Sequence, residues 1–102
     1  MAYVRIGQFR SKPELRDELR DTYERDAIPA IRAAQGNISA ALLQQHGAED
    51  EWVAITVWNT RADAEAYDAS GQDAAMVATI KHAFAGPPTL RTYDAFGIPP
   101  RA

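Results

Sequence analysis

Apolar and polar positions along the chain switch between a period of two and a period of three to four. Residues 2–10, AYVRIGQFR, alternate: Val4, Ile6 and Gln8 fall on one side, Tyr3, Arg5, Gly7 and Phe9 on the other, as in a strand. The spacing then lengthens through Leu15, Leu19, Tyr23, Ala27, Ile31 and Ala34, which makes one helical stripe. Ser11 is placed to cap this helix, Pro13 suits its first turn, and Glu14 completes a capping box. Pro29, whose ring opposes the carbonyl four residues back, should kink the helix or split off its last turn; Gly36 supplies the stop. Residues 37–46, NISAALLQQH, read as a second strand and residues 47–50 as a polar hairpin loop.

The stretch 51–71, EWVAITVWNTRADAEAYDASG, organises the rest. Its strand, residues 52–58, alternates, yet both sides are apolar: Val53, Ile55 and Val57 against Trp52, Ala54, Thr56 and Trp58. Such a strand must be covered on both faces. The chain's own helices supply one layer, and a second copy of the chain is assigned the other. After a turn at Asn59 and Thr60 a helix opens at Thr60 or Arg61 and runs to Ala69. Ser70 and Gly71 interrupt it, and it resumes over residues 72–85 with Met76, Ile80, Ala83 and Phe84 on one side. Gly86-Pro87-Pro88 ends it, and residues 89–97 form the last strand. The order βαββαβ predicts an α+β, ferredoxin-like domain over residues 1–97: a four-stranded antiparallel sheet with helices on one face. Residues 98–102 form a proline-containing tail, either loose or docked on a neighbour.

Composition narrows the function. A chain of 102 residues has room for one core and gains from burial against a partner. The net charge of −3 comes with no concentrated basic stretch, which argues against nucleic acid. Without cysteine there are no disulfides, thiolate nucleophiles or Cys-based zinc sites. The alternating N-terminus lacks the apolar run of a signal peptide, and no run reaches the roughly 20 apolar residues of a membrane helix. The expected location is the cytoplasm.

Three stretches, IRAAQGNISAAL, ITVWNTRADAEAYDAS and RTYDAFG, resemble the antibiotic biosynthesis monooxygenase (ABM) family of the dimeric α/β-barrel superfamily, over residues 2–97. The resemblance implies a homodimer whose two sheets meet to form a barrel, and a small pocket between sheet and helices in each protomer. It implies kinship with oxygenases of polycyclic phenols that use no metal, flavin or other cofactor, with haem-degrading enzymes, and with many proteins of unknown role. It places Trp58 at the strand end near the site of oxygenation and Tyr67 on the following helix as a substrate-binding or proton-relaying phenol. The family's phenol oxygenases carry Asn four residues before that Trp; Ala54 stands there. The haem-degrading branch has Asn, Trp and His where this chain has Gln8, Tyr67 and Val77, and His82 falls five residues late, on another part of the helix surface.

Each candidate also has a plain structural reading. Trp58 and Tyr67 are the size and type of residue that fills a core. His46 and His82 are the two histidines, each a base near neutral pH or a solvated surface ring. Gln8 ends an apolar row and either orients a ligand or reaches water. Arg91 either meets an anionic phenolate or pairs with an acid across a dimer. The acidic run Glu49, Asp50 and Glu51 reads as a solvated turn, and no metal site is expected. The expected catalytic set is therefore Trp58, Tyr67 and His82. Gln8, Met76 and Arg91 join Trp58 and Tyr67 as ligand contacts, and the ligand is a small aromatic or quinol. The alternatives are a non-catalytic dimeric binder and a haem protein.

Overall fold

The computed structural model describes residues 1–101. Four strands, β1 (Ala2–Arg10), β2 (Asn37–Gln45), β3 (Ala48–Trp58) and β4 (Thr89–Ala95), form one antiparallel sheet in the order β2-β3-β1-β4. The helices are α1 (Arg16–Thr22), α2 (Ile28–Arg32), α3 (Arg61–Ala69) and α4 (Gln72–Ile80). This is the ferredoxin-like βαββαβ arrangement that the alternation of periods predicts.

Register fixes what each face carries. Tyr3 lies opposite Trp58, Arg5 opposite Thr56, Gly7 opposite Ala54 and Phe9 opposite Trp52, all toward the helices. Val4 with Val57, Ile6 with Ile55 and Gln8 with Val53 face the other way. The helical layer covers the first set. On the open face only the end around Ala2, Val4 and Val57 is buried, with Ile98 of the tail packed against it. Leu43 and Tyr93 remain 49% and 44% exposed there.

Several local expectations change. Ser11 caps no helix: its N–H donates to the carbonyl of Asp50 at 2.9 Å and its Oγ accepts from Trp52 Nε1 at 2.9 Å, so it ties β1 to β3. The first helix opens as a tight 3-10 turn at Pro13–Leu15, behind an extended Lys12. Pro29 does split this helix, through a wide π turn at Tyr23–Ala27 just upstream. The extra residue in that turn accommodates the missing N–H and the ring. Residues 49–51 belong to β3 rather than to a loop, because the chain reverses tightly at Gly47, where φ is +79°, and β3 bulges against Gln44 and Gln45. The last helix stops at Ile80 instead of Ala85. A 3-10 turn, Lys81–Ala83, leads to Phe84, which bridges to Ser11.

Residues 98–101 of the tail fold back on the chain itself, and Ala102 lies outside the described residues. Asn59 exchanges two hydrogen bonds with the backbone of Arg101, at 2.8 and 3.1 Å, and Arg101 Nη1 donates to the carbonyls of Arg32 and Asn37 at 2.9 and 3.0 Å. Those carbonyls lie at the end of α2 and the start of β2, where backbone acceptors need partners.

Candidate functional site

A cavity of about 320 Å3 lies between the middle of the sheet and the helices. That is the lower end of the range of small-molecule sites, about 300–1,000 Å3. Its floor is the helix-facing row of β1 and β3, namely Arg5, Gly7, Ala54, Thr56 and Trp58. Tyr23 and Ile31 close one side; Tyr67, Asp68, Asp73 and Ala74 close the other. The space exists because Gly7 and Ala54 face each other in register and bring almost no side chain.

Local structure aims the walls. Thr60 caps α3, its Oγ1 accepting from the N–H of Asp63 at 3.1 Å, and this sets the helix rotation so that Ala64 and Tyr67 face inward. The Tyr67 ring then rests on Trp58 with centroids 5.5 Å apart and planes tilted by 38°, a favourable aromatic contact. Trp58 Nε1 donates to Thr56 Oγ1 at 3.0 Å, which holds the indole against the floor. One residue after Tyr67, Asp68 meets the Arg5 guanidinium through both oxygens at 2.6 Å. Gly71, at φ +80°, turns the chain into α4, whose first turn brings Asp73 and Ala74 to the cavity mouth.

The electrostatics sort the polar groups. Hydrogen bonding to Asp68 holds the Arg5 pKa above its ordinary value, so the guanidinium stays charged and paired. Burial first, and the charge of Asp73 second, push the Tyr23 phenol up to about 12. Tyr67 shifts the same way for the same leading reason. Both phenols are therefore hydrogen-bond donors, not bases, near neutral pH. Asp73 is raised above the usual carboxylate value by burial and then by the like charge of Asp68, with Arg5 opposing.

Of the residues expected from sequence, Trp58 and Tyr67 meet in this cavity. Met76 packs against the cluster around Trp58 without lining the space. Gln8 and Arg91 do not reach it. Gln8 pairs with Val53 and Arg91 with Ile6, so strand alternation turns both to the open face. His82 is on the 3-10 turn past α4, exposed, with Nε2 3.5 Å from Glu18 Oε2. The early stop of α4 carries it away from the hollow. His46 is exposed at the β2–β3 turn. Sequence reading passed over Arg5, Tyr23, Asp68 and Asp73. Arg5 had a visible signal, a charge on the same strand side as Tyr3 and Phe9; the others needed helix rotation to be known. Among the described residues no group of three or more His, Asp or Glu is placed to hold a metal ion.

Residues 2–79 match the family model described as antibiotic biosynthesis monooxygenase. Among solved structures, the chain superposes on a candidate antibiotic biosynthesis monooxygenase of Nitrosomonas europaea with a TM-score of 0.86 at 19% identity, covering 94% of this chain and 91% of that one. Rv0793 of Mycobacterium tuberculosis gives 0.81 at 18% identity, over 96% and 98%. A variant of SnoaB, a cofactor-independent oxygenase of Streptomyces nogalater, gives 0.80 at 15% identity, over 92% of each chain. At these identities the likeness establishes the fold. A search of curated protein sequences finds no match.

Proposed function

The chain belongs to the antibiotic biosynthesis monooxygenase family, and from that premise we propose that it binds a small aromatic, quinol-type molecule beside Trp58 and oxygenates it with O2. The observation that carries this reading is a hollow walled by the Trp58–Tyr67 pair and Tyr23, floored by Gly7 and Ala54. Flat apolar walls with a few convergent polar groups suit a flat, sparsely polar ligand. An ionised phenol or anthrone passes an electron to O2 directly. The protein then has to orient the ring, accept a proton and exclude water. In the overall reaction a ring CH2 becomes C=O: one oxygen atom enters the ring, the other leaves as water with both hydrogens, and the substrate supplies the electrons.

The protomer is proposed to work as a homodimer. The open face of the sheet, with Ile6, Ile55, Leu43 and Tyr93, has the apolar character of a face made to be covered. Residues 1–101 contain no helix long and apolar enough to cross a membrane.

A second reading, a dimeric binder without catalysis, is favoured by one observation. Ala54, where the phenol oxygenases of this family have Asn, sits in the cavity floor and leaves it without that amide. Haem binding loses its support, because no histidine lines the cavity. O2 uptake by purified protein with a dihydroxyanthrone separates the readings. Uptake well above the protein-free rate is expected. Saturable binding with no uptake would establish the binder instead, and no binding at all would remove the cavity assignment.

A further inference from the structure

Resting on that reading of the cavity, we propose that Asp73 is the catalytic base of the site and that its substrate is an uncharged aromatic carrying an acidic hydroxyl or ring C–H. Three charged side chains line the hollow: Arg5, Asp68 and Asp73. Arg5 and Asp68 neutralise one another through their two-pronged pair. Asp73, entering on the first turn of α4, has no such partner and leaves the lining with one net negative charge. An anionic ligand, such as a carboxylate or phosphate, would meet like charge without a free cation to receive it. A neutral ligand meets no such penalty.

The alternatives for the proton acceptor fall away on geometry. His82 pairs with Glu18 outside the cavity and His46 is at a distant turn. Burial keeps the Tyr23 and Tyr67 phenols protonated near neutral pH, so neither offers a phenolate to take a proton. Asp68 is engaged at both oxygens by Arg5. The groups that bear on Asp73 are Asp68 on α3, Arg5 on β1, and the phenols of Tyr23 and Tyr67. Burial and the charge of Asp68 raise its proton affinity, which suits a carboxylate that must take a proton from a weak acid.

In the step itself the substrate O–H or C–H bond breaks, an O–H bond forms on the Asp73 carboxyl, and the electron pair stays on the substrate as its anion. The negative charge moves from the mouth of the cavity to the ring beside the Tyr23 and Tyr67 hydroxyls, and the net charge of the site is unchanged. That is the favourable way to create an anion in a partly desolvated space. After O2 adds, the peroxide anion takes the proton back from Asp73 and water is eliminated.

The test compares wild type, Asp73→Asn and Asp73→Glu with a dihydroxyanthrone. Binding is followed by tryptophan fluorescence and ionisation of the bound ligand by its absorption without oxygen. O2 uptake is measured across acidic and neutral pH, and thermal melts confirm folding. Asp73→Asn should bind within about threefold of wild type, show a smaller ionised fraction of bound ligand, lose the acid limb of the pH profile and turn over about 10²-fold more slowly. Asp73→Glu should recover part of the rate. Unchanged ionisation or an intact acid limb in Asp73→Asn overturns the assignment of Asp73 and leaves the cavity reading standing. A wild type that binds no anthrone overturns both.

Discussion

Two tryptophans stand on the same face of β3, and only one of them borders open space. Trp52 and Trp58 are 2% and 1% exposed, and both indole N–H groups are satisfied, by Ser11 Oγ and Thr56 Oγ1. Around Trp52 the volume is full. Phe9 lies opposite in register, Leu19 and Ala83 close over it, and Leu15 and Phe84 seal the rim, with Phe84 5.0 Å from the Phe9 ring. Around Trp58 the neighbours are Tyr3, opposite in register, and Tyr67 from α3. Toward the middle of the sheet the neighbours shrink to Gly7 and Ala54, and the hollow begins. Burial alone therefore does not tell a structural tryptophan from a ligand-facing one, and neither does the cross-strand partner, since Tyr3 stands opposite Trp58 and Phe9 opposite Trp52; what differs is that Trp58 borders the space left by the small Gly7–Ala54 pair.

Truncating each tryptophan tests this most severely. Trp52→Ala should cost about 3–5 kcal/mol, because a packed site cannot collapse and Ser11 Oγ loses its donor. The folded fraction should bind ligand as wild type does. Trp58→Ala should cost less than Trp52→Ala, because part of its surroundings is already empty, and should weaken binding tenfold or more. Urea unfolding with ligand titration reads both. Equal losses of stability with no difference in affinity would break the distinction between the two ends.

Filling the hollow approaches the contrast from the other side. An added Cβ at Gly7 meets nothing nearer than the Ala54 carbonyl at 3.9 Å, and its backbone is not in the left-handed region. A larger side chain there is accommodated by the strand and projects into the cavity. Gly7→Leu should keep stability within about 1 kcal/mol of wild type and abolish binding. Calorimetry with the anthrone probe checks it. Retained affinity would show that the ligand sits elsewhere.

What the sequence made legible follows from the same contrast. Strand alternation separates Val4, Ile6 and Val57 from Tyr3, Phe9 and Trp58 without knowledge of partners, so the sheet and its two apolar faces were readable; Tyr67 was singled out only through the family resemblance. Gln8, expected as a ligand contact, does not line this cavity although its parity was visible, because the face that holds the cavity was not deduced from the parity of Trp58. Both lie on known strands, and register puts them on opposite sides. His82 does not line this cavity: α4 ends at Ile80, a 3-10 turn carries His82, and Phe84 then bridges to Ser11, a tertiary contact that sequence periodicity does not reveal. Asp68 and Asp73 carried no signal in the sequence, and both residues remain exposed to solvent. Only the packing of α3 and α4 over Arg5 turns them toward the hollow.

The smallest expected effect concerns the ion pair at the edge of that hollow. The Arg5 and Asp68 side chains are 16% and 45% exposed, so the pair is partly screened and Asp68→Asn should change stability by only about 0–1 kcal/mol at neutral pH. Its effect on Asp73 is more telling. With a folded-state pKa raised above the ordinary 3.8, Asp73 binds protons more tightly folded than unfolded, so stability falls as pH rises from 3.8 through the raised value and is level above it. Asp68→Asn removes a like charge and frees Arg5 to attract the Asp73 carboxylate, and both changes lower that pKa. The pH interval over which stability falls should narrow, and the acid limb of turnover should move to lower pH, more so at low salt than at high salt. An unaltered pH profile in Asp68→Asn would mean that burial alone sets the proton affinity of Asp73.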